Sequence, residues 1–315
     1  MSLKNFKALF WGLMIYLLGL TSQGSALTIQ VIKSQELKAY DEAYSGFQKV
    51  LRENLKEVQF KEYVLKNNSE ENEKTLTELQ KSSSLILTIG TEATKLVSKR
   101  IKDRTIIFCM VLDPAGSGLV ESLAPSGNNL SGSSLDIPVK EQLEKFKLLV
   151  PGLKNLGVLY TTETEGKVKK AVVVARGLGI NMVSVKISSE KEIPQSLEWL
   201  KEQTQGLWSV PDGLIFSCSS TEQILLYTLR NGIPFMGLSS VYVKAGALFA
   251  LDCDYTDTGK QAGEITLLVL SGKRPSEVPI TTPRKIYLSL NKKTAERIGL
   301  QIPESLLTIT EEIIR

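Results

Sequence analysis

Short runs rich in β-branched residues alternate with longer segments of helical periodicity from residue 27 onward. This alternation is typical of parallel sheets, because parallel strands need a long crossover connection and a helix supplies it. The sequence predicts strands at 28–33, 59–65, 85–89, 105–112, 156–160, 181–185, 213–216 and 234–237. It predicts helices at 37–54, 69–81, 91–99, 138–150, 168–178, 193–202, 221–231 and 256–271. The predicted fold class is therefore α/β.

The alternating pattern stops near residue 134 and restarts behind Pro138, where a proline suits the first turn of a helix. The two halves therefore predict two doubly wound parallel-sheet lobes of similar construction. In open parallel sheets, ligands bind outside the carboxyl ends of the strands. Two such edges that face each other would form a cleft, so we expect a small-molecule ligand to bind between the lobes.

The N-terminus has the pattern of a secretory signal peptide. Lys4 and Lys7 precede an apolar run at 8–20, and the small residues Gly24 and Ala26 suit a cleavage site after Ala26. A membrane anchor is the alternative, but this run is shorter than the ~20 residues that a spanning helix needs. No cysteine near the cleavage point offers a thiol for lipid attachment. We therefore predict a free periplasmic protein that begins at residue 27.

The chain contains no histidine, and this absence excludes several classes of enzyme. Ser-His-Asp and Cys-His nucleophile systems and His-ligated zinc all need an imidazole. The three cysteines show no C-x-x-C spacing that could replace it. Carboxylate dyads and Ser-Lys pairs remain open. We expect no metal and no cofactor.

The three cysteines are Cys109, Cys218 and Cys253, which lie far apart in or beside apolar runs. There a thiol behaves as a small hydrophobic group. We predict three buried free thiols, although export would permit one disulfide. Loss of two lysines with the leader lowers the formal net charge from +4 to +2, which leaves no basic footprint for a nucleic-acid partner.

Two segments of the first half carry candidate ligand-binding residues. Gly90 and Thr91 lie where a buried strand passes into a helix, and the free N–H groups of such a turn bind anions. The alternative is that Thr91 caps its own helix. Asp113 stands at the end of the next strand. There its carboxylate could accept a hydrogen bond from a ligand, or it could form a turn. Ser34, directly behind the first strand, is included in the candidate set.

Polar residues at other strand ends complete the candidate set. Ser131 lies in the small polar segment 128–134, which suits a close approach to a ligand or an ordinary loop. Ser217 and Ser219 repeat the strand-to-helix pattern in the second half, with helix capping as the alternative. Asp252 and Asp254 could receive an ammonium group, or they could be solvated loop acids.

Several short motifs occur in an order that resembles a known family. They are LILTIGT at 85–91, DP at 113–114, GLV at 118–120, NLSG at 129–132, LLVP at 148–151, IPF at 233–235, GAL at 246–248, DY at 254–255, Gly259, LSGKRP at 270–275, LSLN at 288–291 and IGLQIP at 298–303. This order resembles the ABC-transporter substrate-binding family related to tryptophan- and tyrosine-binding proteins. The resemblance covers nearly the whole chain behind the leader.

The resemblance implies a type I periplasmic binding fold, in which a three-crossover hinge joins the two lobes. We predict lobe I at 27–134 plus 253–281 and lobe II at 135–252 plus 282–315. The resemblance also implies amino-acid ligands, which are often aromatic, and an ABC permease of the inner membrane as the partner. We expect the protein to be a monomer. Two positions differ from the family pattern: Ser219 stands where an acid is usual, and Glu92 where a small or apolar residue is usual.

The predicted function is capture of a small molecule, an amino acid or related carboxylate, for an ABC importer. One alternative is a binding protein that presents its closed form to a membrane signalling receptor through the same lobe surfaces. Another is a secreted hydrolase that uses carboxylates or a Ser-Lys pair. The missing histidine and the missing nucleophile-elbow motif count against the hydrolase.

Overall fold

The computed structural model describes residues 27–81, 85–125, 127–308 and 310–314. The predicted leader and its cleavage point at Ala26 lie outside the described residues.

The first sheet has five parallel strands in the order β2-β1-β3-β4-β5. These strands are β1 (Leu27–Lys33), β2 (Val58–Val64), β3 (Ile86–Ile89), β4 (Ile106–Val111) and β5 (Leu130–Ser134). The helices between them are α1 (Lys38–Asn54), α2 (Ser69–Lys81) and α3 (Thr91–Arg100). Every residue of β3 and β4 is buried, as expected for central parallel strands that helices cover on both faces.

The second sheet has seven strands in the order β12-β11-β10-β9-β8-β6-β7. They are β6 (Asn155–Tyr160), β7 (Asn181–Lys186), β8 (Leu207–Trp208), β9 (Phe235–Met236), β10 (Phe249–Cys253), β11 (Ile286–Asn291) and β12 (Thr310–Ile314). Its strands pair in parallel except for β10 and β11, which are antiparallel.

Eight further helices complete the described fold. They are α4 (Val139–Leu149), α5 (Glu165–Gly177), α6 (Ile193–Gln203), α7 (Cys218–Arg230), α8 (Ser240–Lys244), α9 (Tyr255–Leu270), α10 (Lys292–Arg297) and α11 (Glu304–Leu307). Two short 3-10 helices span Glu190–Glu192 and Pro275–Glu277.

The chain passes three times between the two sheets. It leaves the first sheet after β5, returns behind β10 so that α9 packs on α1, and enters the second sheet again at β11. Before the third crossing, Thr281 forms a bridge with Ser133 beside the first sheet. Separate apolar clusters fill the two halves, around Phe47 and Phe108 in the first and Phe146 and Trp208 in the second. These crossings support the lobe boundaries given above, which we retain as a proposal.

Two predicted segments differ from the structure. Residues 213–216 form a turn rather than a strand, and the strand of this region is β8, which is followed by Pro211 and Asp212. Ile215 of this turn is nevertheless fully buried. The apolar residues of the turn therefore resemble a buried strand in the sequence. The small polar segment that contains Ser131 is the buried edge strand β5 rather than a loop. Its serine hydroxyls bond to backbone carbonyls, so polar residues are accommodated inside.

Candidate functional site

Two adjoining cavities lie where the two sheets face each other. The inner cavity, of about 80 Å³, is lined by the first crossing at Asp136 and by the ends of β8, β9 and β10. The outer cleft, of about 450 Å³, lies between the first turn of α3 and the first turn of α5. Leu112, Lys167 and Pro211 line both cavities, so the two spaces adjoin each other.

The N-terminus of α3 opens on the outer cleft through Thr91 and Glu92. Gly90 precedes it with φ 94°, and a Cβ there would lie 2.4 Å from the Tyr40 hydroxyl, so both its backbone conformation and its surroundings favour glycine. The hydroxyl of Ser34 accepts the N–H of Ala93 at 2.9 Å and occupies one donor of this helix end. Within the described residues, the N–H groups of Thr91 and Glu92 make no hydrogen bond.

Thr91 does not cap its own helix. Its hydroxyl accepts the N–H of Leu112 at 3.3 Å and so links α3 to the end of β4. Asp113 follows with φ 44°, a left-handed conformation that non-glycine residues adopt with strain. Its Oδ1 accepts the N–H of Gly116 at 2.9 Å, which confirms the turn-forming role, and the residue also lines the outer cleft.

An ion pair that the sequence analysis did not predict crosses this region. The Nζ of Lys167, on α5, lies 2.8 Å from Oδ1 of Asp136, on the first crossing. The other carboxylate oxygen of Asp136 accepts the backbone N–H of Asp113 at 2.7 Å and the hydroxyl of Ser134 at 3.1 Å. Asp136 therefore links Lys167 of the second lobe to Asp113 of the first lobe, at the junction of the two cavities.

The acid that follows β8 is Asp212, which is 5% exposed. Its Oδ2 accepts the hydroxyls of Thr161 and Thr164 at 2.7 and 2.6 Å, and its Oδ1 accepts the N–H of Leu214 at 3.1 Å and of Ile215 at 3.3 Å. This carboxylate shapes the turn behind β8 and the start of α5. The predicted strand at 213–216 would place the acid usual in the family at Ser219, whereas the strand of this region is β8 and the acid that follows it is Asp212.

Ser209, between β8 and Pro211, is a further residue that the sequence analysis missed. It is 3% exposed, lines the inner cavity, and its hydroxyl has no hydrogen-bond partner within the described residues. Gln142 lines the same cavity, but its amide is already held by the Trp208 indole at 2.7 Å and the Ile137 carbonyl at 2.8 Å. Ser209 therefore offers an unused polar group to a bound molecule.

Of the nine predicted residues, Thr91 and Asp113 line the outer cleft. Ser34 and Gly90 lie directly behind the α3 N-terminus and support it. Ser131 is fully buried in β5, and its hydroxyl donates to the Val278 carbonyl at 3.0 Å, so it faces the core of the first lobe. It is therefore left out of the candidate site.

Four further predicted residues also lie elsewhere. Ser217 caps α7, and Ser219 bonds to Glu190 in a separate shallow depression of the second lobe. Asp252 accepts the hydroxyl of Tyr255, and Asp254 caps α9 by accepting the N–H of Asp257. Burial alone would raise the pKa of Asp254, but the Asp257 N–H, the Tyr287 hydroxyl and Lys285 stabilise its carboxylate and lower the pKa. None of these four lines the two cavities.

Within the described part of the chain, no group of three or more cysteine or acidic residues is arranged to hold a metal ion. The same residues contain no helix that is long and apolar enough to span a membrane.

Comparison with known sequences relates the chain to binding proteins. A tyrosine-binding protein of Clostridioides difficile is 31% identical over 220 residues, which cover 69% of this chain and 63% of that relative's own length. An uncharacterised Rickettsia prowazekii protein is 21% identical over 227 residues, which cover 70% of this chain and 69% of that protein.

Solved structures show the same fold. A Streptococcus pneumonia ABC domain in complex with L-Trp is 24% identical, with a TM-score of 0.68 over 92% of this chain and all of that chain. A ligand-free, open substrate-binding protein with adhesive properties from Clostridium difficile has a TM-score of 0.75 at 24% identity, over 92% of this chain and 99% of that one.

The fold is thus a type I periplasmic binding fold, shared with a ribose operon repressor from Lactobacillus acidophilus at a TM-score of 0.52 and 12% identity, over 81% of this chain and 94% of that one. The model of the ABC transporter substrate binding protein family matches residues 28–314. The chain therefore belongs to the ABC transporter substrate-binding protein family, whose members bind solutes rather than catalyse reactions.

Proposed function

We propose that this protein is exported to the periplasm, captures an amino acid or related carboxylate between its two lobes, and delivers it to an ABC importer. The observation that carries the proposal is the site formed by the adjoining inner cavity and outer cleft, which residues of both lobes line. A solute in this site would contact both lobes at once. Such a solute can therefore favour a closed arrangement of the lobes.

The chemistry of the site suits a small polar solute. The outer cleft is lined by the acids Glu92, Asp113 and Glu163 and by the bases Lys95 and Lys167. The inner cavity adds apolar side chains, among them Met236 and Leu251, next to the Ser209 hydroxyl. Charged groups of both signs beside apolar surface match a molecule that carries ionic groups at one end and an apolar part at the other.

Two related proteins bind ligands of this kind. One relative is described as a tyrosine-binding protein, and one protein of the same fold holds L-Trp. Both ligands are amino acids with a carboxylate, an ammonium group and a large apolar side chain. Export is supported by the leader pattern of Lys4, Lys7 and the apolar run that follows.

Mass spectrometry of protein purified under native conditions from the periplasm of the expressing cells tests the proposal. The intact mass should correspond to a chain that begins at Leu27. Denaturation of the same sample should release a small molecule with a carboxylate group. Protein denatured and washed before the second measurement is the control for adventitious carry-over.

Two results would contradict the proposal. An intact mass that retains Lys4 and Lys7 would exclude cleavage of the leader. Absence of any released molecule, together with no thermal stabilisation by amino acids or other carboxylates, would exclude solute capture.

A further inference from the structure

The ion pair between Lys167 and Asp136 occupies an unusual position. Lys167 is the third residue of α5, where the positive end of the helix dipole disfavours a cation. Both side chains are mostly buried, with 17% and 18% of their surface exposed. A partly buried charge is costly unless it has a partner, so each of the two charges depends on the other.

The hydrogen bonding of the two groups is unequal. Asp136 uses its second oxygen for the Asp113 N–H and the Ser134 hydroxyl, which fixes the carboxylate in place. The Lys167 ammonium has three donors but makes one hydrogen bond, to Asp136, within the described residues. It is also at the end of a flexible four-carbon chain. Lys167 can therefore turn into either cavity while Asp136 stays fixed.

The adjoining inner cavity contains a second feature that points to a ligand. Ser209 lines the cavity that Lys167 and Asp136 also line, and its buried hydroxyl lacks a partner within the described residues. A buried hydroxyl without a hydrogen bond is unfavourable, and a ligand atom would satisfy it.

We infer that the ligand is a zwitterion whose carboxylate binds Lys167 and whose ammonium group binds Asp136, so that it inserts into this ion pair; the inference rests on the proposed function. The ligand carboxylate also reaches the Ser209 hydroxyl. A zwitterion gives each of the two protein charges a new partner. A ligand with a single charge satisfies one of them and leaves the other unpaired in a partly buried site. The ion pair therefore selects α-amino acids over simple amines and simple carboxylic acids.

Calorimetry with three amino acids and their single-charge analogues tests this inference. The probes are L-tyrosine, L-tryptophan and L-leucine, each compared with its amide, which lacks the carboxylate, and its deaminated acid, which lacks the ammonium group. The wild-type protein, freed of co-purified solute, should bind at least one of the three amino acids. Both analogues of that amino acid should bind at least about tenfold more weakly, because each leaves one buried charge unpaired.

The variant Lys167→Met should weaken binding of the amino acid by about 10- to 100-fold, because the carboxylate loses its cation. Binding of the amide should be retained or become tighter, since the amide has no carboxylate for Lys167 to hold and this variant has no buried lysine charge for the amide to leave unpaired. Asp136→Asn should show the converse, with weaker binding of the amino acid and retained or tighter binding of the deaminated acid. Asparagine keeps an oxygen that can accept the Asp113 N–H.

Lys169→Met is the matched control. Lys169 lies on the same helix, is exposed and pairs with Glu165 at 2.6 Å, so its loss should leave all affinities unchanged. Thermal unfolding of each variant reports whether it is folded. If Lys167→Met does not fold, Lys167→Arg keeps the cation and should keep the preference for the amino acid over its amide.

The inference is overturned if Lys167→Met binds the amino acid as tightly as wild type, or weakens the amide and the amino acid equally. The inference is also overturned if the wild-type protein binds a single-charge analogue as tightly as the amino acid or more tightly. It is likewise overturned if the wild-type protein binds none of the three amino acids. The proposed function is decided separately by the solute that natively purified protein releases. A released carboxylate without an ammonium group would refute the inference and leave the proposed function intact.

Discussion

At the scale of single residues, the environment separates the three cysteines. Cys109 and Cys253 are buried, and burial raises the pKa of each thiol to about 12, with nearby acids adding to the effect at Cys253. Cys218 is exposed in the first turn of α7. The expectation of three buried thiols is therefore wrong for Cys218, because the preceding segment is a turn and not a strand. None of the three forms a disulfide, as predicted.

This difference predicts that a thiol reagent such as Ellman's reagent modifies one cysteine of the native protein quickly at pH 8. The thiolate is the reactive form, and at that pH it is scarcely populated in a thiol with a pKa of about 12. All three cysteines should react after denaturation. Cys218→Ser should abolish the fast phase, and a fast phase that persists in this variant would show that a buried thiol is accessible.

The candidate site shows the same limit of sequence reasoning at single residues. Thr91 and Asp113 could be predicted because they follow β3 and β4, whose fully buried apolar runs are easily recognised in the sequence. Ser209 was missed because β8 is only two residues long, which is too short for a periodic signal. A serine beside a proline carries no sign that its hydroxyl lacks a partner.

At the scale of elements, the contact between α1 and α9 ties the second crossing to the first lobe. A Cβ at Gly259 would lie 1.7 Å from the Ala43 carbonyl oxygen, and one at Gly46 would lie 1.9 Å from the Thr256 carbonyl oxygen. Glycine on both helices thus permits backbone contact at this crossing. The third crossing is anchored to α9, because the Arg284 guanidinium bonds to Asp257 and Glu264 of that helix.

We therefore expect Gly259→Ala to destabilise the protein by about 1–3 kcal/mol, since the helices must separate to accept the methyl group. Gly177→Ala is the matched control, because no atom lies within 4 Å of its added Cβ at the end of α5. That change should be neutral or stabilise by up to about 1 kcal/mol. Urea unfolding measures both free energies. Equal stability of the two variants would contradict the close approach of α1 and α9.

At the scale of the whole molecule, we propose that the lobes close on the ligand by bending at residues 133–136, 253–254 and 281–283. The chain passes between the two sheets near each of these segments. Because each lobe has its own apolar core, opening would break few packed contacts. A ligand that contacts both lobes would then supply the differential affinity that favours closure.

Small-angle scattering should therefore give a smaller radius of gyration when a bound amino acid saturates the protein. Substitution of Thr91 by a bulky residue in the first lobe and Ser209→Leu in the second should each weaken binding, because both residues line the site. Ser219→Leu is the control, since Ser219 lies in a separate depression. Unchanged scattering from an open ligand-free form, with binding confirmed by calorimetry, would refute closure.

The α/β class, the family and most of the helices and longer strands follow from patterns in the sequence. Hydrophobic periodicity reports how one element is buried, and that information is local to the element. The helix at 69–81, for example, was predicted with both ends as the structure has them. The order of the motifs from 85–91 to 298–303 likewise identifies the family from the sequence.

Which polar residues meet in the site depends on the folded arrangement of the elements. Lys167 and Asp136 are 31 positions apart and belong to different elements, so no local pattern marks them as a pair. The short strands β8 and β9, the antiparallel partner β11 and the burial of β5 also depend on neighbours that are distant in sequence. The reason is physical: a hydrogen bond or an ion pair depends on what lies opposite a side chain, and the fold alone brings those groups together.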